Sequence, residues 1–135
     1  MRKKIILPVF LSALALTMMG FMKPTHTEKP DKMKKNNLVI PAKVQQVIDQ
    51  SCYGCHHSGA KSEKALKALN FDKLTKLTKF KLVGKLQDMA DVISDGDMPP
   101  KKFLAKHPEK GLSEQQKTLL INWAGKAAEE IIANK

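Results

Sequence analysis

The sequence predicts a small all-α domain of about four helices, and three features carry that expectation. Apolar residues recur at helical rather than alternating spacing from Val44 to Ile131. No stretch of useful length alternates apolar and polar residues as a half-buried strand would. Helix punctuation falls at sensible intervals, at Pro41, at SDGDMPP (residues 94–100) and at Ser113.

Pro41 suits a first helical position, because its missing N–H would have no partner there anyway. Val44, Val47 and Ile48 then lie at i, i+3 and i+4, and Cys52 and Cys55 continue that face. The first helix is thus expected to carry its cysteines on the buried side of its C-terminal end. A short second helix spans Ser62–Leu69, and Asn70-Phe71-Asp72 punctuates it. From Asp72 to Ile93, Leu74, Leu77, Leu82, Leu86, Met89 and Ile93 mark a third helical region. Gly84 weakens its middle, so two shorter helices are an alternative. The last helix opens with a capping box, Ser113 and Gln116, and presents Leu119, Leu120, Trp123, Ala127 and Ile131. Trp123 reads as a core anchor that could also pack near the first helix or the rim of a bound group.

The two ends of the 135-residue chain differ in kind. Arg2, Lys3 and Lys4 precede an apolar run, Ile5 to Met22, interrupted by Pro8. That layout is a secretory signal or, since 18 residues can just span a bilayer, an uncleaved inner-membrane anchor. Both place the remainder in the periplasm. Residues 23–37, KPTHTEKPDKMKKNN, lack periodicity and read as a flexible tether. The folded domain is then residues 38–135, fewer than 100 residues with few aromatics, a size that often needs a staple or bound group. The formal charge is +11, or +8 without residues 1–22, since three basic groups leave with them. Export argues against nucleic acid. The lysines at 73, 76, 79, 81 and 85 are scattered among leucines, as on a solvated helix face. The sharper reading is a basic surface facing an acidic protein or anionic lipid.

The chemistry concentrates in DQSCYGCHHSGA, residues 49–60, which holds both cysteines and two of the four histidines. Cys52-Tyr53-Gly54-Cys55-His56 has the c-type haem attachment pattern. Two intervening residues let one helical turn present both thiols to the two vinyl groups of one ring edge. The next residue, His56, then lies over the iron as proximal ligand, and His57 points elsewhere. A disulfide, a thioredoxin-like redox pair and part of a zinc site are the alternatives. The redox pair expects flanking strands, and zinc expects further ligands, yet His26 and His107 stand alone.

A sixth iron ligand must come from the opposite side, and methionine there raises the potential. Met98-Pro99-Pro100 lies 42 residues beyond His56. Pro99 disfavours helix at Met98, and the paired prolines stiffen the loop that would hold its thioether. Met33, in the tether, and Met89, on a helix face, are weaker candidates, and His107 is the runner-up.

VIPAKVQQVIDQSCYGCH, LNF at 69–71, and GDMPPKKFLAKHPEKGLSEQQKTLLINWA together resemble the exported bacterial "haem-binding domain" family, frequent in Bacteroidetes. The resemblance covers about residues 38–125. It implies a cytochrome c-like fold around one covalently attached haem c, with His56 and Met98 as axial ligands of the iron. Where that family has a tryptophan-rich segment soon after the histidine, this chain has SGAKSEKALKA. The expected activity is electron transfer in the cell envelope with redox partner proteins of acidic character, by a carrier rather than an enzyme. The competing readings are a haem peroxidase or gas or redox sensor with an open sixth position, and a haem-free module stapled by Cys52–Cys55.

Overall fold

The structure is a computed structural model, and it describes residues 36–134. The signal or anchor segment and nearly all of the tether lie outside the described residues. Among the described residues there are five α-helices and no strand, so the all-α expectation holds. The helices are α1 (Ala42–Ser51), α2 (Glu63–Ala68), α3 (Lys79–Ser94), α4 (Lys101–Leu104) and α5 (Glu114–Ala133). Short 3-10 turns at Phe71–Lys76 and Pro108–Lys110 complete the path. None of these helices is long and apolar enough to cross a membrane.

The core is built on the packing of α3 against α5. Helix α3 buries Leu82, Leu86, Met89 and Ile93, a stripe at four- and three-residue steps. Helix α5 answers with Leu120, Trp123, Ala124, Ala127 and Ala128, whose three alanines let the two helices approach closely. Helix α1 adds Val44, Val47 and Ile48, and Leu74 closes the base from the first 3-10 turn. Full burial of each Leu, Ile or Val contributes roughly 1.5–3 kcal/mol before conformational entropy is charged against it. Trp123 anchors the last helix as expected, and its Nε1–H donates to Val39 O at 3.1 Å. It therefore packs on the segment before α1.

Three local outcomes differ from the sequence expectation. Gly84 does not divide the third region: α3 runs unbroken through it, and the break falls earlier, at Leu77 and Thr78. The stripe from Leu82 to Ile93 supplies enough burial to override one poor helix former. The cysteines do not continue the helical face of α1. Cys52 is its C-cap, and Cys55 lies in the turn beyond, exposed. A single turn, α4, also follows Pro100, where no helix is expected from the sequence. Asn36, the first described residue, already makes tertiary hydrogen bonds: its Nδ2 donates to Leu74 O at 2.9 Å and Leu77 O at 3.1 Å.

Candidate functional site: an apolar pocket at the end of α1

Helix α1 ends in a widened turn. The amides of both Cys52 and Tyr53 donate to Ile48 O, each at 2.8 Å. The amides of Cys55 and His56 then turn back to Cys52 O, at 3.1 and 3.2 Å. This winding places Cys52 and Cys55 one turn apart, the spacing at which side chains share a face. Both thiols are free. Burial, and secondarily the neighbouring Cys55, pushes the Cys52 thiol up to about 11.

His56 is fixed by backbone. Its Nδ1 lies 3.1 Å from Ala65 O and 3.0 Å from Leu69 O, at the C-terminal end of α2. Two carbonyls can only accept, so Nδ1 carries the proton and Nε2 keeps its lone pair for a ligand. The edge of the His56 ring meets Phe71 in a T-shaped contact, 6.4 Å between centroids. The Phe71 amide also donates to His56 O at 2.9 Å.

The turn is braced from outside by Asp72. Its carboxylate accepts from Tyr53 Oη at 2.7 Å and from the Ser58 amide at 2.8 Å. Those two hydrogen bonds, the amide's first, hold the Asp72 carboxyl below the usual range. The bond to Asp72 in turn raises the Tyr53 phenol. Asn70, the one buried polar residue among the described ones, bonds Ser58 and the Asp72 amide. His57 stacks on Tyr53, 5.2 Å between centroids, and its Nδ1 accepts from the Gly59 amide. It is occupied outside the pocket, as the spacing argument expects.

Met98 arrives from the far end of α3. The helix is stopped by Gly96 at φ +72°, a conformation glycine adopts without strain. The amides of Asp97 and Met98 both return to Val92 O, at 2.9 and 3.2 Å. Pro99 is buried, and the Met98–Pro99 bond is cis. Farther on, Gln50 Nε2 donates to Glu109 O at 3.2 Å, tying the segment after α4 back to α1.

These pieces enclose a pocket of about 350 Å³, within the range of small-molecule and cofactor sites. Cys52, Cys55, His56 and Met98 all line it, although His56 and Met98 are 42 residues apart. Its walls include Leu69, Phe71, Ile93, Pro99, Phe103 and Leu112. Lys85, Asp88 and Asp91 edge it, with Lys85 Nζ 3.7 Å from Asp88. Ser51 Oγ, buried and without a hydrogen-bond partner in the chain, belongs to a residue of the same wall. A flat apolar ring with two thiol attachment points and an imidazole above it fits this donor set. Among the described residues, no group of three or more His, Cys, Asp or Glu side chains gathers to hold a metal ion directly.

His107 does not reach the pocket. It is exposed, stacks on Phe103 at 4.7 Å and lies 3.6 Å from Glu109. Met89, ranked below Met98 from the sequence, does line the pocket, buried in the α3 wall. Its membership was missed because a helix-face methionine is indistinguishable from core until the facing elements are placed. The carbonyls of Ala65 and Leu69 were missed as well, since no side chain signals a backbone acceptor. Phe71 and Leu69 could have been found: both stand in the LNF triplet, and in this chain they occupy the place next to the histidine.

Comparison with known proteins adds one finding. The family described as Haem-binding domain matches residues 59–126, just over half of the chain, beginning three residues after His56. No curated protein and no solved structure matches the chain. The matched span holds most of the pocket wall, from Ala68 through Met98 to Leu112. This chain therefore belongs to the haem-binding domain family.

Proposed function

We propose that the protein is a mono-haem c-type cytochrome that carries electrons in the cell envelope. One observation carries the reading: two thiols, an imidazole with its Nδ1 committed to backbone, and a distant methionine line one apolar pocket. Cys52 and Cys55 would hold the haem by thioether links, and His56 Nε2 and Met98 Sδ would be the side-chain donors offered to its iron. The iron, when bound, supplies the one-electron couple. The chain's own residues do the rest. The Ala65 and Leu69 carbonyls orient His56 and make it a better donor. Leu69, Phe71, Phe103 and Leu112 keep water from the ring, and the low dielectric strengthens every interaction inside. The envelope setting rests on the apolar run at residues 5–22 behind Arg2, Lys3 and Lys4. The partners would be envelope redox proteins of acidic surface, met by exposed lysines such as Lys101 and Lys102, which stand between the pocket residues Pro100 and Phe103.

The test is to produce the full chain with c-type maturation machinery, stain denaturing gels for haem and record spectra. Covalent haem is expected in the native chain and its loss in the Cys52→Ala/Cys55→Ala variant; a native chain without covalent haem ends the reading. For the sixth ligand, Met98→Ala is expected to convert a low-spin spectrum to high-spin, while Met89→Leu leaves it low-spin. A native high-spin spectrum that Met98→Ala does not change would instead favour a peroxidase or sensor with an open sixth position.

A further inference from the structure

Among the described residues, four bulky apolar side chains are prominently exposed: Val39, Tyr53, Phe80 and Ile132. Tyr53 belongs to the brace of the haem site. The other three border one groove elsewhere on the molecule. Lys79 Nζ donates to Ile132 O at 2.9 Å and to Asn134 O at 2.7 Å, so the start of α3 meets the end of α5. Val39 lines a groove together with Asn36, Thr78, Lys79, Ile131 and Asn134. Phe80 and Ile132 each follow a residue of that groove. Phe80 is 87% exposed, and nothing in the described fold accounts for a phenyl ring in that position. Exposed apolar groups clustered in this way mark an interaction surface.

Two observations say what covers it. The ammonium of Lys79 is committed to the α5 terminus, but Lys73, Lys76 and Lys81 are exposed around the same turn and helix start. They outnumber the carboxylates of Glu129 and Glu130 on the adjoining end of α5. Apolar side chains among cations match an anionic lipid interface, which takes hydrophobic groups into the headgroup boundary and attracts lysine. The second observation is the position of Asn36, the first described residue. Asn36 is bonded to Leu74 O and Leu77 O, three residues before Phe80. The sequence preceding it contains Lys32, Lys34 and Lys35 and the apolar run at residues 5–22.

We propose that the Val39–Phe80–Ile132 end is a docking surface for an anionic phospholipid bilayer. It holds the domain with the haem pocket facing away from the lipid. The pocket lies farther along α3 than Phe80: at 1.5 Å per residue, Lys85 at its edge is about 7.5 Å and Met89 in its wall about 13.5 Å along the axis. The surface uses none of the pocket residues, so it rests on the envelope reading for its lipid and not on the haem chemistry.

The test places the photoprobe p-benzoylphenylalanine at Phe80 in the full-length holoprotein. A second preparation carries it at Lys102, which adjoins the pocket residue Phe103. Both are incubated with vesicles of phosphatidylcholine and phosphatidylglycerol, irradiated, and analysed for lipid adducts by mass spectrometry. The position-80 probe is expected to give several-fold more lipid adduct than the position-102 probe. K73E/K76E/K81E is expected to lower the position-80 yield in these vesicles. A yield at 80 that does not exceed that at 102, a crosslink to a second copy of the chain, or protein that does not stay with the vesicles overturns the proposal. Haem content is read by absorbance in the same samples, so a missing haem counts against the electron-transfer reading and leaves the adduct result standing.

Discussion

At the scale of single residues, Cys52 and Cys55 are chemically unequal although their motif is symmetric. Cys55 is exposed; Cys52 sits against the core, where burial disfavours the thiolate and lifts its pKa from 9.0 to about 11. A thiol whose pKa is higher folded than unfolded stabilises the fold fully below the unfolded value, and that contribution is lost as pH rises to the folded one. The haem-free chain is therefore expected to lose stability between pH 9 and 11. Chemical denaturation followed by circular dichroism across that window checks it, and Cys52→Ala should flatten the dependence. The thioether form has no thiol to titrate and should lack the effect. At pH 8 an alkylating agent is expected to label Cys55 of the folded haem-free chain well before Cys52; equal rates would show that burial does not protect Cys52. Cys52, Cys55, His56 and Met98, which line one pocket, were legible as candidates in the sequence because each is a local signal, a fixed spacing in one case and a proline-stiffened loop in the other. Met89 was not legible, because its place in the pocket depends on how α3 faces residues 52–56, a contact between distant segments.

At the scale of elements, the capping box of α5 was readable residue by residue and is present. Ser113 Oγ accepts from the Gln116 amide, and Gln116 Oε1 accepts from the Ser113 amide. Ser113→Ala should cost about 1 kcal/mol in a urea titration, the usual worth of such a cap. Gly84 does not break α3, for a physical reason: propensity is a weak term against a buried stripe of four apolar residues. A methyl group added at Gly84 meets nothing within 4 Å. Gly84→Ala is thus expected to stabilise the protein by roughly 0.5–1 kcal/mol, since it removes only the entropic penalty of glycine in a helix. Gly96 is the opposite case. It also has space for a methyl, but its φ of +72° is strained for any L side chain, so Gly96→Ala should destabilise by about 1–2 kcal/mol. The two substitutions add the same atom to two uncrowded sites, so opposite signs in the same titration would assign the difference to backbone conformation. Helix α4 escaped the sequence reading because four residues carry no periodicity; Pro100 alone opens it.

At the scale of the whole molecule, the core and the pocket divide the work unevenly. Helices α3 and α5 pack along one another and bury most of the apolar core, while α2, α4 and the segment from Met98 to Leu112 close over the pocket. Helices α2 and α4 contribute no fully buried residue of their own. Their ordering depends on what they enclose: His56 bonded to the α2 carbonyls on one side, Phe103 and Leu112 against the pocket on the other. A group bound there stabilises only the folded state and adds apolar contact where the chain alone supplies least. On the proposed thioether attachment, the Cys52→Ala/Cys55→Ala protein would carry no attached haem and should therefore melt below the holoprotein. Its amide exchange should also be uneven: α3 and α5 should stay protected, while α2 and residues 98–112 exchange rapidly. In the holoprotein those two regions should gain protection. Equal protection of α2 in both forms would mean that Ser62 capping and the Asn70–Asp72 brace hold it without the haem. The pocket would then be preformed, with α2 as a fixed support for His56.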